Sequence, residues 1–181
     1  DLPYVAKTRS ALQSLAGKLV GTAPDAVVMV TPHGPVFADA VAIWTLGEMV
    51  GSFSNFGAAD LRYVIGNDPA MVEAIAAEAG HLDVPVLLLG QGTAERYGVP
   101  PRLDHGLLVP LSFLADAGLR APVVPVVMGF LPPDDLYRFG KAIQAAAIRT
   151  KKRVAVLASG DLSHRLTPEA PAGYHPSGAA F

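Results

Sequence analysis

Apolar and polar positions fall into short blocks that read as strands and helices in turn. Residues 26–30 are apolar, are introduced by Pro24-Asp25, and run into Thr31-Pro32-His33-Gly34-Pro35. Residues 154–158 repeat the pattern, with Arg153 in front and Ser159-Gly160-Asp161 behind. Both read as buried strands, although periodicity alone does not exclude a helix. Residues 61–65, 84–89 and 123–128 are further strands, and Pro122 and Pro125 suggest that the last lies at a sheet edge or carries a bulge. Helical spacing joins Leu12, Leu15 and Leu19 within residues 7–19, with Gly21 as a stop. A second helix starts at Asn67-Asp68-Pro69, where Asp68 caps free N–H groups and Pro69 suits the first position. Its buried face is Met71, Val72, Ile75 and Ala79, and Gly80 ends it.

A third helix covers residues 107–114 and stops at Gly118; it tolerates Pro110 only if that residue falls in the first turn, with a start near Gly106 or later. Pro132-Pro133-Asp134-Asp135 opens a fourth, with Leu136, Phe139, Ile143 and Ala147 on one stripe. Residues 38–49 read as a helix with an almost all-round apolar surface, residues 90–101 as a loop, and residues 167–181 as loop with an incipient helix at the end. Alternating strands and helices predict an α/β fold, a central mostly parallel sheet covered by helices. The length suits a single domain.

Composition narrows the function classes. Hydrophobic residues make up 51% and charged residues 17%, a globular balance rather than a disordered one. A net charge of −2 gives no basic footprint for nucleic acid. Lys151, Lys152 and Arg153 follow a helix and suit its C-terminal dipole. The absence of cysteine excludes disulfides and thiolate metal sites, and is compatible with a reducing cytoplasm, the expected location. No uncharged apolar stretch reaches the roughly 18 residues of a membrane span; the longest, 121–133, is broken by Pro122, Pro125 and Gly129. With no initiator methionine and no signal-peptide pattern, the start at Asp1 is expected to be internal to the natural domain.

Three histidines carry the candidate chemistry. His33 is held beyond a strand end by two prolines and a glycine, His105 sits in Leu103-Asp104-His105-Gly106 at a helix start, and His164 lies just past the break after residues 154–158. Open α/β sheets gather chemistry at the carboxyl ends of their strands, and imidazole exchanges protons near neutral pH. A neutral, proton-donating or anion-contacting imidazole is reasonable for His105 at a helix N-terminus; Asp104 and His105 as simple caps is the competing reading. His81 reads as a helix-end or surface residue, and Arg96 and Tyr97 as the most reactive-looking members of their loop. The loop from Gly51 to Gly57, with Phe53 and Phe56, either lines a pocket or packs on the surface. The expectation is that His33, His105 and His164 converge on one cavity rim.

At these residues the chain resembles the class III extradiol ring-cleavage dioxygenase superfamily, specifically its catalytic B subunit. The resemblance rests on Thr31-Pro-His-Gly-Pro-Val-Phe37, Leu103-Asp-His-Gly-Leu-Leu-Val-Pro-Leu111 and Ser159-Gly-Asp-Leu-Ser-His-Arg-Leu166, with support from the tail Ala172-Gly-Tyr-His-Pro-Ser-Gly-Ala-Ala-Phe181. Its closest flavour is the branch found with AMMECR1-type and Memo-type proteins. The resemblance implies an oxidoreductase that opens a catechol-like ring with O2, using non-haem Fe(II) held by two histidines and a glutamate. By motif, His33 is one iron ligand, His164 the acid/base, and His105 a hydrogen-bond donor to substrate or bound oxygen. Asp104 and Asp161 then orient the imidazoles.

The family's other iron histidine lies in a short N-terminal strand and its glutamate well beyond the Ser-His motif. Both are therefore expected outside residues 1–181, and Fe(II) is expected only where the full protein supplies them. Glu48, Glu73, Glu78 and Glu95 have no motif that recommends them. The implied partners are a catechol-like small molecule and O2, with a homo-oligomer or an AMMECR1-like partner domain; nucleic acid and membrane are not expected. The alternative is a non-enzymatic metal- or ligand-binding module beside a partner domain, and a metal-assisted hydrolase ranks last.

Overall fold

Short, doubly buried strands build the centre of the molecule. The structure is a computed structural model that describes residues 2–160 and 163–180. Along the chain come α1 (Leu2–Gly21), β1 (Ala26–Thr31), β2 (Val41–Trp44), β3 (Glu48–Phe53), β4 (Ala58–Gly66) and α2 (Pro69–His81). Then follow β5 (Val86–Leu89), α3 (Gln91–Arg96), α4 (His105–Asp116), β6 (Val123–Val127), α5 (Pro133–Thr150) and β7 (Val154–Ala158).

Five strands form one sheet in the order β5-β2-β6-β1-β7, and β3 pairs with β4 in a separate hairpin. Every pairing in the large sheet is parallel except β2 with β6, so the mostly parallel α/β architecture expected from the alternation is present. Val27 and Met29 of β1 join a core made with α1, α3, α4 and the hairpin, while Val28 joins one made with α2 and α5. Strands covered on both faces read as unbroken apolar runs rather than alternating ones.

That property explains the corrections. Residues 38–49 are not a helix but β2 and the start of β3. Val41 and Ile43 enter one core while Ala42 and Trp44 enter the other, so a strand buried on both sides mimics an all-round apolar helix. Residues 123–128 do not form an edge strand: β6 lies between β2 and β1. Its ladder to β2 involves only Val126 and Val127, so Pro125 sits where β2 does not pair. The edges are instead β5 and β7, and Val156 of β7 is 55% exposed. Residues 91–96 form α3 rather than loop. Helix α4 begins at His105, so Pro110 lies inside it and not in its first turn. The other helices fall close to expectation, and Asp68 caps α2 by accepting from the Met71 N–H at 3.1 Å. Lys152, just past α5, pairs with the same carboxylate. No helix among the described residues is long and apolar enough to cross a membrane.

Candidate functional site

The site grows from the last residue of β1. Thr31 is fully buried, and its hydroxyl donates to Asp104 Oδ1 at 2.8 Å. Its oxygen also accepts from the backbone N–H of His33 at 3.1 Å. Asp104 caps α4, with the same Oδ1 accepting from Gly106 N–H at 2.8 Å and Leu107 N–H at 3.3 Å. One hydroxyl and one carboxylate oxygen therefore tie the end of β1 to the beginning of α4. The consequence is a contact between two residues 72 positions apart: the rings of His33 and His105 lie with centroids 4.0 Å apart, tilted by 41°.

Gly106 makes the approach possible. A Cβ there would lie 2.4 Å from Thr31 Oγ1 and 2.9 Å from His33 Cδ2, closer than any real side chain sits. The hairpin supplies the facing wall. Phe56 at its tip is 64% exposed, with its ring 5.6 Å from that of His105 and 6.3 Å from that of Phe53. The Gly51–Gly57 segment thus lines a pocket, contrary to the packed-surface alternative. The cleft between the His33 turn, the hairpin tip and the segment before α4 holds about 760 Å³, within the usual range for small-molecule sites.

His164 follows β7 by way of residues 161–162, which lie outside the described residues. Strand β7 pairs with β1 up to Val30 and Ala158, and Ser159 N–H donates to Val30 O at 2.8 Å. The chain therefore leaves the sheet beside the strand end that carries His33, at the carboxyl edge shared by β6, β1 and β7. His164 is exposed and, among the described residues, is not part of the cleft lining. Its segment is backed by the tail: His175 N–H donates to Arg165 O at 3.1 Å, and a Cβ on Gly178 would meet Arg165 O and Ser163 Oγ at 2.8 Å. Asp161 lies outside the described residues. The structure thus brings together His33, His105 and Asp104, while His164 is not among the described residues that line their cleft.

Other candidates lie elsewhere. Tyr97 packs edge-on against Phe37 at 5.2 Å, and neither Tyr97 nor Arg96 lines the cleft among the described residues. His81 ends α2 and pairs with Glu78, which also binds Arg149. Glu95 accepts from Gln91, and Glu48 and Glu73 are exposed. Sequence reasoning missed Thr31, Gly106, Arg62 and Arg102. Thr31 and Gly106 were inside the recognised motifs, but nothing local marked their partners; Arg62 and Arg102 carried no signal beyond their charge.

The donor set can be tested against a bound metal. Among the described residues no group of three or more His, Cys, Asp or Glu is arranged to hold an ion. Asp104 Oδ1 is already shared by three donors. The described residues therefore do not by themselves fit the three-ligand cage of a non-haem iron centre.

Over residues 1–181 the chain matches the family described as the catalytic LigB subunit of aromatic ring-opening dioxygenase. The chain belongs to that family. It is 30% identical to the Clostridium acetobutylicum protein CA_C1420 over 98% of this chain and 38% of that protein. It is 30% identical to a 2,3-dihydroxyphenylpropionate/2,3-dihydroxicinnamic acid 1,2-dioxygenase of Paraburkholderia phymatum, covering 78% of this chain and 43% of the enzyme. An enzyme of the same name from Escherichia coli strain 55989 is 29% identical over 85% of this chain and 48% of its own length. The LigB-family chain thus spans less than half the length of these relatives. The crystal structure of an uncharacterized Escherichia coli K12 protein, JW3007, shares the fold, with a TM-score of 0.57 and 22% identity over 85% of this chain and 54% of that one.

Proposed function

We propose that this chain is the substrate-binding, imidazole-bearing part of an extradiol-type dioxygenase that opens a catechol-like ring with O2. The observation that carries the reading is the meeting of His33 and His105 in one cleft at the carboxyl edge of the sheet. In this reading Phe56 contacts the flat face of the ring. His105, at the first position of α4, hydrogen-bonds a substrate or oxygen atom. His164 takes the proton of a catechol hydroxyl and later returns one, an assistance worth about 10²–10⁴-fold in such steps. Asp104 and Asp161 orient the imidazoles. His33 is assigned as an Fe(II) ligand, and Fe(II) belongs to the reading only where the full protein adds a histidine and a glutamate.

A second reading keeps the cleft but not the chemistry: a metal- or ligand-binding module acting beside a partner domain such as an AMMECR1-like one. What supports it is that, among the described residues, no group of three or more His, Cys, Asp or Glu is arranged to hold an ion. One experiment separates the two. The full-length protein is loaded anaerobically with Fe(II), given catechol, and exposed to O2. The dioxygenase reading predicts oxygen uptake and a yellow ring-opened product, lowered about 10²–10⁴-fold by His164→Ala. Product formation that survives His164→Ala unchanged removes His164 as the base, and binding without oxygen uptake favours the module.

A further inference from the structure

The turn that carries His164 is built outside both cores, and a later segment of the chain holds it. Among the described residues, none of 163–180 belongs to either hydrophobic cluster, and none of 163–175 lies in a helix or strand. Surface segments of this kind are more mobile than the elements they join. An acid/base group needs the opposite, a fixed approach to the proton it moves.

The tail supplies fixing contacts, and they fall on both chain neighbours of His164. Arg165 N–H donates to Ser163 Oγ at 3.1 Å, which closes the turn over residues 163–165. From further along the chain, His175 N–H donates to Arg165 O at 3.1 Å. Gly178 lies against the same knot: a Cβ there would meet Ser163 Oγ and Arg165 O, each at 2.8 Å. One of those atoms is backbone and the other is already engaged by Arg165 N–H. Alanine at position 178 would therefore push the turn itself, not the loose end of a side chain.

The tail turn is held in shape by a side chain of its own. His175 Nδ1 accepts from Ser177 N–H at 3.2 Å, and Gly178 N–H donates to His175 O at 2.9 Å. The His175 ring thus caps the short turn Pro176–Gly178 while its backbone N–H grips Arg165. Asparagine would keep an acceptor at that cap and alanine would not.

We propose that residues 175–178 form a clamp that positions His164, with His175 and Gly178 as positioning residues acting through Arg165 and Ser163. This rests on the reading of His164 as the acid/base, and adds the part of the chain that fixes its approach. The clamp serves one of the three imidazoles. The His33 turn and the start of α4 are tied instead by Thr31 and Asp104. Loosening the tail should therefore disturb His164 alone.

Two measurements on the full-length protein test it. The first follows the imidazole resonances without metal. Gly178→Ala is expected to shift those of His164 and to leave those of His33 and His105 in place, with thermal melting unchanged because the cores are untouched. The second is turnover of catechol with Fe(II) and O2. Gly178→Ala and His175→Ala are expected to lower kcat by up to about 10²-fold, the scale for a misplaced reacting group, with KM little changed. His175→Asn restores most of what His175→Ala loses. His164 resonances that stay fixed in Gly178→Ala, resonances of all three histidines that shift together, or His175→Asn no better than His175→Ala overturns the clamp. His164 resonances that move while kcat holds uphold the clamp and remove His164 as the base instead.

Discussion

The Thr31 hydroxyl is the smallest part on which the site depends. It satisfies Asp104 and the His33 N–H together, in a position with no access to water. Replacing it by the near-isosteric valine leaves both groups short of a partner, which costs about 1–3 kcal/mol for a buried polar group. Urea denaturation of Thr31→Val should show that loss, and the nuclear Overhauser contact between the His33 and His105 rings should weaken; an unchanged midpoint contradicts the role. Gly106 offers a test in which two effects have opposite signs. Helix propensity favours alanine over glycine by about 1 kcal/mol, but the Cβ would strike Thr31 Oγ1 and the His33 ring. Gly106→Ala is expected to lower the melting temperature, and a rise would show that the knot is loose. The histidines were legible because their turns carry Gly, Pro and Asp. The hydroxyl holding them was not, because its partner is 73 residues away.

At the scale of elements, α4 carries an internal cost. Pro110 gives no N–H to the Gly106 carbonyl, and an interior proline typically costs about 3 kcal/mol or more. Pro110→Ala should therefore raise the unfolding midpoint, part of that cost being already relaxed; a fall would assign Pro110 a packing role. The starts of β1 and β7 are joined by Asp25, which accepts from the Arg153 backbone N–H at 2.8 Å. That hydrogen bond, and next the Arg153 guanidinium, hold its carboxyl below the usual aspartate range. Because the folded value is depressed, the stabilisation is present above the unfolded value and is lost as pH falls through the folded one. The stability difference between the wild type and Asp25→Asn should accordingly shrink as pH falls below the ordinary carboxylate range. A difference constant across that window contradicts the linkage. Elements with punctuation, such as Asn67-Asp68-Pro69 before α2, were readable from the chain. Residues 38–49 were not, since burial on both sides of β2 erases the period that tells strand from helix.

For the whole molecule, the parallel block β6-β1-β7 delivers its chain exits to one edge, and α4 and the hairpin close over that edge. The layered α/β class followed from alternation, whereas the cleft needed long-range pairing that no local pattern encodes: the hairpin wall meets the segment leading into α4 through Val50 and Leu103. The account stands on three imidazoles serving one ligand. Its most direct test is a catechol titration followed by the assigned imidazole resonances of His33, His105, His164 and, as reference, His81 at the far end of α2. The account predicts that the first three shift along one saturation curve while His81 stays fixed. A His164 signal that does not move while His33 and His105 saturate, or no saturable shift in any of the three, contradicts it.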